Sequence, residues 1–379
     1  MNIGLDARYL SHGLLGGVRN YVFQLAQRLP RLAPHHQFFY YVDNKAPLEI
    51  DAFPDNVLVR TMSWRSPLSS VWNDMVIARL MSQDRVHAAH FPANSGPAGR
   101  YRLIVTLHDS LNLLSMRDHL RGVGTSPSKV GMMAYLRHQA RMAVRNACQV
   151  ITLSEHAKAD IAARTGLPAD RIRAIHLGCD ERFHEVSQLD DLLEVRRRLA
   201  LPAEFLLADG IKNPGALLAA YDGLSSELRH RIGIVFFTRE LAPRPEVAAR
   251  ADGKAIQVVI RPSLPDLVAL MNLAIAFVFP SWYEGFGLPL VEAMRCGTPV
   301  VASSRGSIPE VLGGAGLLFD VDSPDELRLR LLQVLGDESL RNRMREESLA
   351  RGRVFSWDST ARRVLDVYDA VLAGPASSS

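Results

Sequence analysis

The chain has 379 residues, 47% hydrophobic and 22% charged, with a formal net charge of +4. This composition excludes a disordered or collagen-like chain and suits two globular domains at about 150 residues each. The mild positive charge favours anionic partners such as nucleotides, phosphates or an acidic membrane surface, and nucleic acid is not expected.

The chain opens "MNIGLDARYL", with Asp6 and Arg8 inside a first strand, so a secretory leader is not expected. No apolar run reaches the roughly 18 residues of a membrane-spanning helix, so any membrane contact would be peripheral. Cys148, Cys179 and Cys296 form neither a disulfide framework nor a metal-ligand set. A reducing, cytoplasmic location is therefore expected, at the inner face of the membrane if a membrane is involved. In chain order the strand-like runs are 2–8, 37–42, 56–62, 86–91, 102–109, 149–154 and 172–177. After a polar segment at 178–191 come 204–209, 231–238, 255–260, 275–281, 299–304 and 315–320. Amphipathic stretches alternate with them, and the strands are almost wholly apolar, as in parallel sheets covered on both faces. Thirteen strands divide better into two doubly wound Rossmann-like domains than into one sheet. The expected division is 1–182, 183–355, a last helix 356–373 crossing back to the first domain, and a disordered tail 374–379. Two such domains facing a cleft imply a ligand at the C-terminal ends of the strands.

Helix starts in such folds are the places to look, because four N–H groups are unpaired at each. Ser307 with Glu310, Asn213 with Pro214, and Ser154 all have the spacing of caps. Two other starts lack one: "LLGGVRNYVFQL" behind Gly16 and Gly17, and "GFGLPLVEAM" behind Gly287. Water can satisfy such an end, but open N–H groups and the helix dipole also suit an anion such as a diphosphate. Glu284 and Glu292 flank the second start, and a carboxylate beside a phosphate is best explained by sugar hydroxyls. Together these features describe a nucleotide-sugar site. No G-x-G-x-x-G follows a strand, which argues against a nicotinamide-dependent oxidoreductase.

The segment "FVFPSWYEGFGLPLVEAMRCGTPVVASSRGSIPEVLGGAGLLFDVDSPDEL" (277–327) resembles the C-terminal domain of family-4 retaining glycosyltransferases of GT-B architecture, with Glu284 and Glu292 as the E-x7-E motif. The likeness extends to 6–29, 105–114, 150–161 and 172–183. It implies that Glu292 binds the nucleotide ribose, that Glu284 binds the donor sugar, and that Gly285, Phe286, Gly287 and Leu288 line the sugar and diphosphate. By the same likeness Gly16 and Gly17 approach the phosphates from the first domain, His108 and Asp109 face the sugar, and Lys212 neutralises the diphosphate. His108, Glu284 and Lys212 are thus the expected catalytic residues, and the others bind the donor. Relatives carry an Arg just before that lysine, which "FLLADGIKNPG" (205–215) lacks; Arg19, Arg239 and Arg261 are candidates to replace it.

The activity implied is transfer of a hexose from a GDP- or UDP-linked donor to a saccharide or lipid-linked saccharide acceptor, with retention. Cell-surface polysaccharide or glycolipid synthesis is the expected setting and mannose the working expectation for the sugar. No metal or other cofactor is expected, and "DVD" (320–322) is read as structural. The alternative is a catalytically weak GT-B protein acting as a partner subunit. The segment from His119 to Ser154 carries Arg121, Lys129, Arg137, Arg141 and Arg145 and no acidic residue. It suits either a solvated helix face or contact with an anionic membrane.

Overall fold

The computed structural model describes residues 1–13, 16–50, 52–63, 70–114 and 127–374, with backbone alone at 70–72 and 127–129. Arg121, the Lys129 side chain and the tail beyond 374 lie outside the described residues. The chain divides into two compact units, Met1–Gly178 with Trp357–Ser379, and Cys179–Ser356. The division falls four residues before the one read from the sequence, at the Gly178–Cys179 peptide.

Unit 1 holds seven parallel strands: β1 (Asn2–Asp6), β2 (Gln37–Asp43), β3 (Val57–Met62), β4 (Ala88–Phe91), β5 (Arg102–Leu107), β6 (Gln149–Thr152) and β7 (Ile172–Ala174). Their order is β3-β2-β1-β4-β5-β6-β7. Leu5 on the first strand in the chain pairs with Tyr40 on one side and His90 on the other. Side chains from both sheet faces are buried, as the apolar runs require: Leu5, Ile104, Val105, Val150 and Ile151 are all fully enclosed. The last helix, Trp357–Ala373, packs within this unit. Its Tyr368 hydroxyl lies 2.7 Å from His90 Nδ1, and Arg102 donates to the carbonyls of Leu372 (2.6 Å) and Gly374 (2.7 Å).

Unit 2 holds β8 (Glu204–Asp209), β9 (Ile232–Thr238), β10 (Ile256–Ile260), β11 (Ala276–Phe279), β12 (Val300–Ser303) and β13 (Leu317–Phe319). Their order, β10-β9-β8-β11-β12-β13, repeats the doubly wound pattern, again all parallel. Its first and last residues pair with each other: Cys179 and Ser356 form an isolated parallel bridge, with Cys179 N–H donating to the Phe355 carbonyl at 3.3 Å. The order of strands reverses between β8 and β11, so the crevice that such sheets offer a ligand opens where Asp209 and Pro280 end their strands.

Two of the three expected caps are absent. Ser154 does accept from Ala157 N–H at 3.1 Å. Asn213 instead adopts a left-handed backbone (φ 53°) and donates its amide to the Pro280 carbonyl at 2.9 Å, leaving the Pro214–Asp222 helix without a side-chain cap. Ser307 likewise turns from its own helix to the Glu284 carbonyl at 3.0 Å. Both of these side chains are instead spent on one loop, residues 280–287. "DVD" is also tied down: Arg305 reaches Asp320 at 3.0 Å and Asp322 at 2.5 Å.

Candidate functional site

In unit 2, the loop after β11 carries Glu284 to the crevice edge. Three neighbours fix its backbone: Asn213 holds Pro280, Ser303 Oγ donates to the Ser281 carbonyl at 2.6 Å, and Ser307 holds Glu284. The Glu284 carboxylate then receives Ser281 Oγ–H at 2.8 Å and Lys212 Nζ at 2.9 Å, both on Oε1. Its Oε2 has no protein partner among the described residues and is not enclosed. Phe286 is buried and meets Phe355 edge-on at 5.6 Å, anchoring the loop's far end.

The Leu288–Arg295 helix follows directly. Gly287 takes φ 91° and no side chain caps the helix, as its sequence predicts. Any other residue at 287 would be strained in that backbone and would press Leu290 at 3.0 Å. The Pro214–Asp222 helix, starting behind Lys212, is a second uncapped start in this unit. Open N–H groups and positive dipole ends thus lie beside both chain segments that carry the site.

Glu292 is 8% exposed, and its Oε2 accepts from Arg239 Nη2 at 2.6 Å. Arg239 stands just beyond β9, and the Glu292 charge raises its pKa further above the ordinary arginine value. Oε1 of Glu292, like Oε2 of Glu284, is neither enclosed nor bonded among the described residues. Asp209, at the end of β8, completes the cluster. Burial pushes its carboxyl above the usual range, opposed by the Ile211 N–H bond (3.0 Å) and the charges of Lys212 and Arg239. Each glutamate therefore has one oxygen held by a cation and the other available to a hydroxyl.

Among the residues expected from sequence, unit 2 brings together Lys212, Glu284, Gly287 and Glu292. Arg239, one of three named candidates, is the one found in the cluster. Arg19 belongs to unit 1, where it pairs with Glu49 and lies 4.7 Å over the Phe23 ring. Arg261 is exposed, with its backbone at φ 50°. Asp209, Ser281, Ser303 and Ser307 were not singled out for the site; the available signal was their position at the C-terminal ends of parallel strands or at helix starts.

Unit 1 carries Gly16, Gly17, His108 and Asp109. Gly16 (φ 130°) opens the Gly17–Leu32 helix without a side-chain cap, and a Cβ on Gly17 would meet no atom of the described residues within 4 Å. Packing does not demand glycine at 17, so its smallness leaves room at the helix start. Tyr21, one turn on, meets the His108 ring edge-on at 5.3 Å. His108 Nε2 donates to the Pro92 carbonyl at 2.7 Å, which assigns the tautomer and leaves Nδ1 as the acceptor. Burial pushes its pKa down to about 4, so at neutral pH this imidazole is uncharged: it can accept a hydroxyl proton bond but offers an anion no charge. Asp109 accepts the Leu111 N–H at 2.9 Å and so starts the short turn Leu111–Leu113.

Comparison with known proteins follows the same division. The family described as Glycosyltransferase Family 4 matches residues 15–183, and that described as glycosyl transferases group 1 matches residues 211–351. The serotype-specific mannosyltransferase WbdA of Escherichia coli is 27% identical over 297 residues, covering 76% of this chain and 35% of WbdA. The O-antigen chain mannosyltransferase B of Escherichia coli is 30% identical over 243 residues, 62% of this chain and 64% of that protein. The matched region thus spans less than two thirds of the length of either relative. In fold, a sucrose-phosphate synthase from Thermosynechococcus elongatus superposes with a TM-score of 0.73 at 19% identity, over 98% of this chain and 99% of that one. With both halves matched in order and the doubly wound sheets in place, the chain belongs to the family-4 glycosyltransferases of GT-B architecture.

Proposed function

We propose that the protein transfers a hexose, mannose as the first candidate, from a nucleotide diphosphate sugar to an acceptor hydroxyl, with retention of configuration, in the synthesis of a cell-surface polysaccharide. The observation that carries this is the pair of half-satisfied glutamates, Glu284 on Lys212 and Glu292 on Arg239, beside an uncapped helix start. The mannose and the polysaccharide setting are supported by the two mannosyltransferase relatives.

The barrier in such a reaction is departure of an anionic diphosphate from a carbon becoming oxocarbenium-like. Lys212 and the N–H groups of the Leu288 helix stabilise the leaving charge, a preorganised contribution of several kcal/mol in related chemistry. Glu284 Oε2 and Glu292 Oε1 hold hydroxyls of sugar and ribose. No side chain of the cluster is assigned as nucleophile; the departing phosphate oxygen takes the acceptor's proton on the same face, and the protein positions both substrates. The reading assigns all cationic work to side chains and helix ends, so it calls for no metal.

Calorimetric titration with GDP and UDP, then a transfer assay, tests it. Glu284→Gln is expected to leave nucleoside diphosphate affinity within about threefold while turnover falls roughly 10- to 100-fold, the loss of one charge-assisted hydrogen bond. Absence of any nucleoside diphosphate binding by the wild type would refute the reading and favour a partner subunit. Product of inverted configuration by NMR would remove retention alone.

An anionic membrane carrying a lipid-linked acceptor is part of the same proposal. The Pro127–Asn146 helix has no acidic residue, and it exposes Met132 (59%), Leu136 (42%) and Met142 (38%) along with His138, Arg141 and Arg145. Exposed apolar and basic groups on one helix suit an interfacial contact. Sedimentation with phosphatidylglycerol vesicles is expected to fall severalfold on charge reversal at Arg141 and Arg145, and unchanged sedimentation discards the membrane.

A further inference from the structure

The role of Arg239 is not exhausted by Glu292. A guanidinium has five N–H donors, and among the described residues one hydrogen bond to protein is formed, from Nη2 to Glu292 Oε2 at 2.6 Å. The Arg239 side chain is 41% exposed while its partner is 10% exposed, so the remaining donors face outward from a fixed base. The Phe237 ring lies 5.9 Å from the guanidinium carbon, within cation–π range.

Charge gives those donors a purpose. The cluster holds three carboxylates, Asp209, Glu284 and Glu292, against two cations, Lys212 and Arg239. A diphosphate entering such a group cannot be balanced by Lys212 alone, whose Nζ is already engaged by Glu284. Arg244 is exposed and spends its Nε on the Ile211 carbonyl at 3.3 Å, bracing the loop before Lys212. Arg239 alone of these arginines is both inside the cluster and under-used.

We infer that Arg239 is a ligand of the donor's diphosphate: one N–H holds Glu292 in place while the others bind phosphate oxygens. The guanidinium fork matches phosphate geometry, and the carboxylate bond pre-orients it at no further entropic cost. This inference rests on the nucleotide-sugar reading and assigns within it the second cation of the diphosphate. The same side chain thereby couples the ribose-holding and phosphate-holding parts of the site.

The test compares a nucleoside diphosphate, GDP or UDP as the wild type prefers, with its bare nucleoside, by calorimetry and ligand-observed NMR. R239Q is expected to weaken the diphosphate roughly 10- to 100-fold and the nucleoside by less than about threefold. R239K keeps the charge without the fork and should recover part of that loss. It also carries the comparison if R239Q fails to fold, with the diphosphate weakened severalfold and the nucleoside unchanged. Equal losses for diphosphate and nucleoside would mean that Arg239 acts through Glu292 alone and overturn the inference. Unchanged diphosphate binding in R239Q overturns it too, whereas a wild type that binds no diphosphate overturns the nucleotide-sugar reading itself.

Discussion

Gly306→Ala is expected to cut glycosyl transfer at least 100-fold while leaving nucleoside diphosphate affinity within about threefold. Gly306 sits at φ +60°, and a Cβ there would lie 2.8 Å from the Glu284 carbonyl oxygen and 3.0 Å from its nitrogen. Both are backbone atoms, so the clash cannot be relieved by rotating a side chain; the 280–287 loop must shift. That loop aims the carboxylate that Lys212 holds at 2.9 Å, and displacements of about 1 Å at a reacting centre cost about two orders of magnitude. Glu292 and Arg239 belong to other segments and should keep the nucleotide. A stability loss of about 1–3 kcal/mol accompanies the strain. Gly314→Ala is the control: its φ of +93° imposes the same kind of strain, but a Cβ there meets nothing within 4 Å. If both variants lose stability and both keep full turnover, the loop does not depend on Gly306 in the way described.

The second large effect is acid destabilisation of unit 1. His90 is fully buried between Tyr368 and Thr106, each at 2.7 Å, and burial, with the nearby His108, pushes its pKa down to about 3. His108 is down to about 4 for the same first reason, burial. Both folded values lie below the ordinary imidazole value of about 6.5, so the unfolded chain binds the protons. Stability is therefore complete above pH 6.5 and is lost as the pH falls through the window below it. By pH 4 each histidine costs about 3 kcal/mol, a large share of a domain stability of about 5–15 kcal/mol. Denaturant melts monitored in unit 1 should show protons taken up on unfolding between pH 6 and 5, nearly two of them from His90 and His108 and a further part from His36, whose pKa burial also lowers. His90→Gln should remove about one of them, and an unchanged slope would contradict the assignment.

The strands were legible because each is an apolar run long enough to be enclosed on both faces. Their ends were less so. The run read as 102–109 leaves the ladder after Leu107, because His108 N–H takes the Asn94 side chain at 2.9 Å instead of a neighbouring strand. The open start behind Gly287 was readable for a local reason: no side chain near it can cap. The misread caps share the opposite cause. Asn213 and Ser307 have the right spacing, but carbonyls 67 and 23 residues away compete for them, and local pattern contains nothing of that competition. The pairing of Glu292 with Arg239 spans 53 residues and was equally hidden; only the place of Arg239 at a strand's C-terminal end marked it.

The bridge between Cys179 and Ser356 has a bearing on how the chain is made. Unit 2 begins and ends on paired residues, so everything it needs is contiguous and it can close once residue 356 has emerged. Unit 1 is interrupted: His90 and Arg102 must wait for Tyr368, Leu372 and Gly374 before these bonds exist. During synthesis the half that starts first is thus completed last, holding an unfinished face while 178 intervening residues fold. A chain from which residues 179–356 have emerged, but not 357–374, would carry a complete second unit and an unsealed first one.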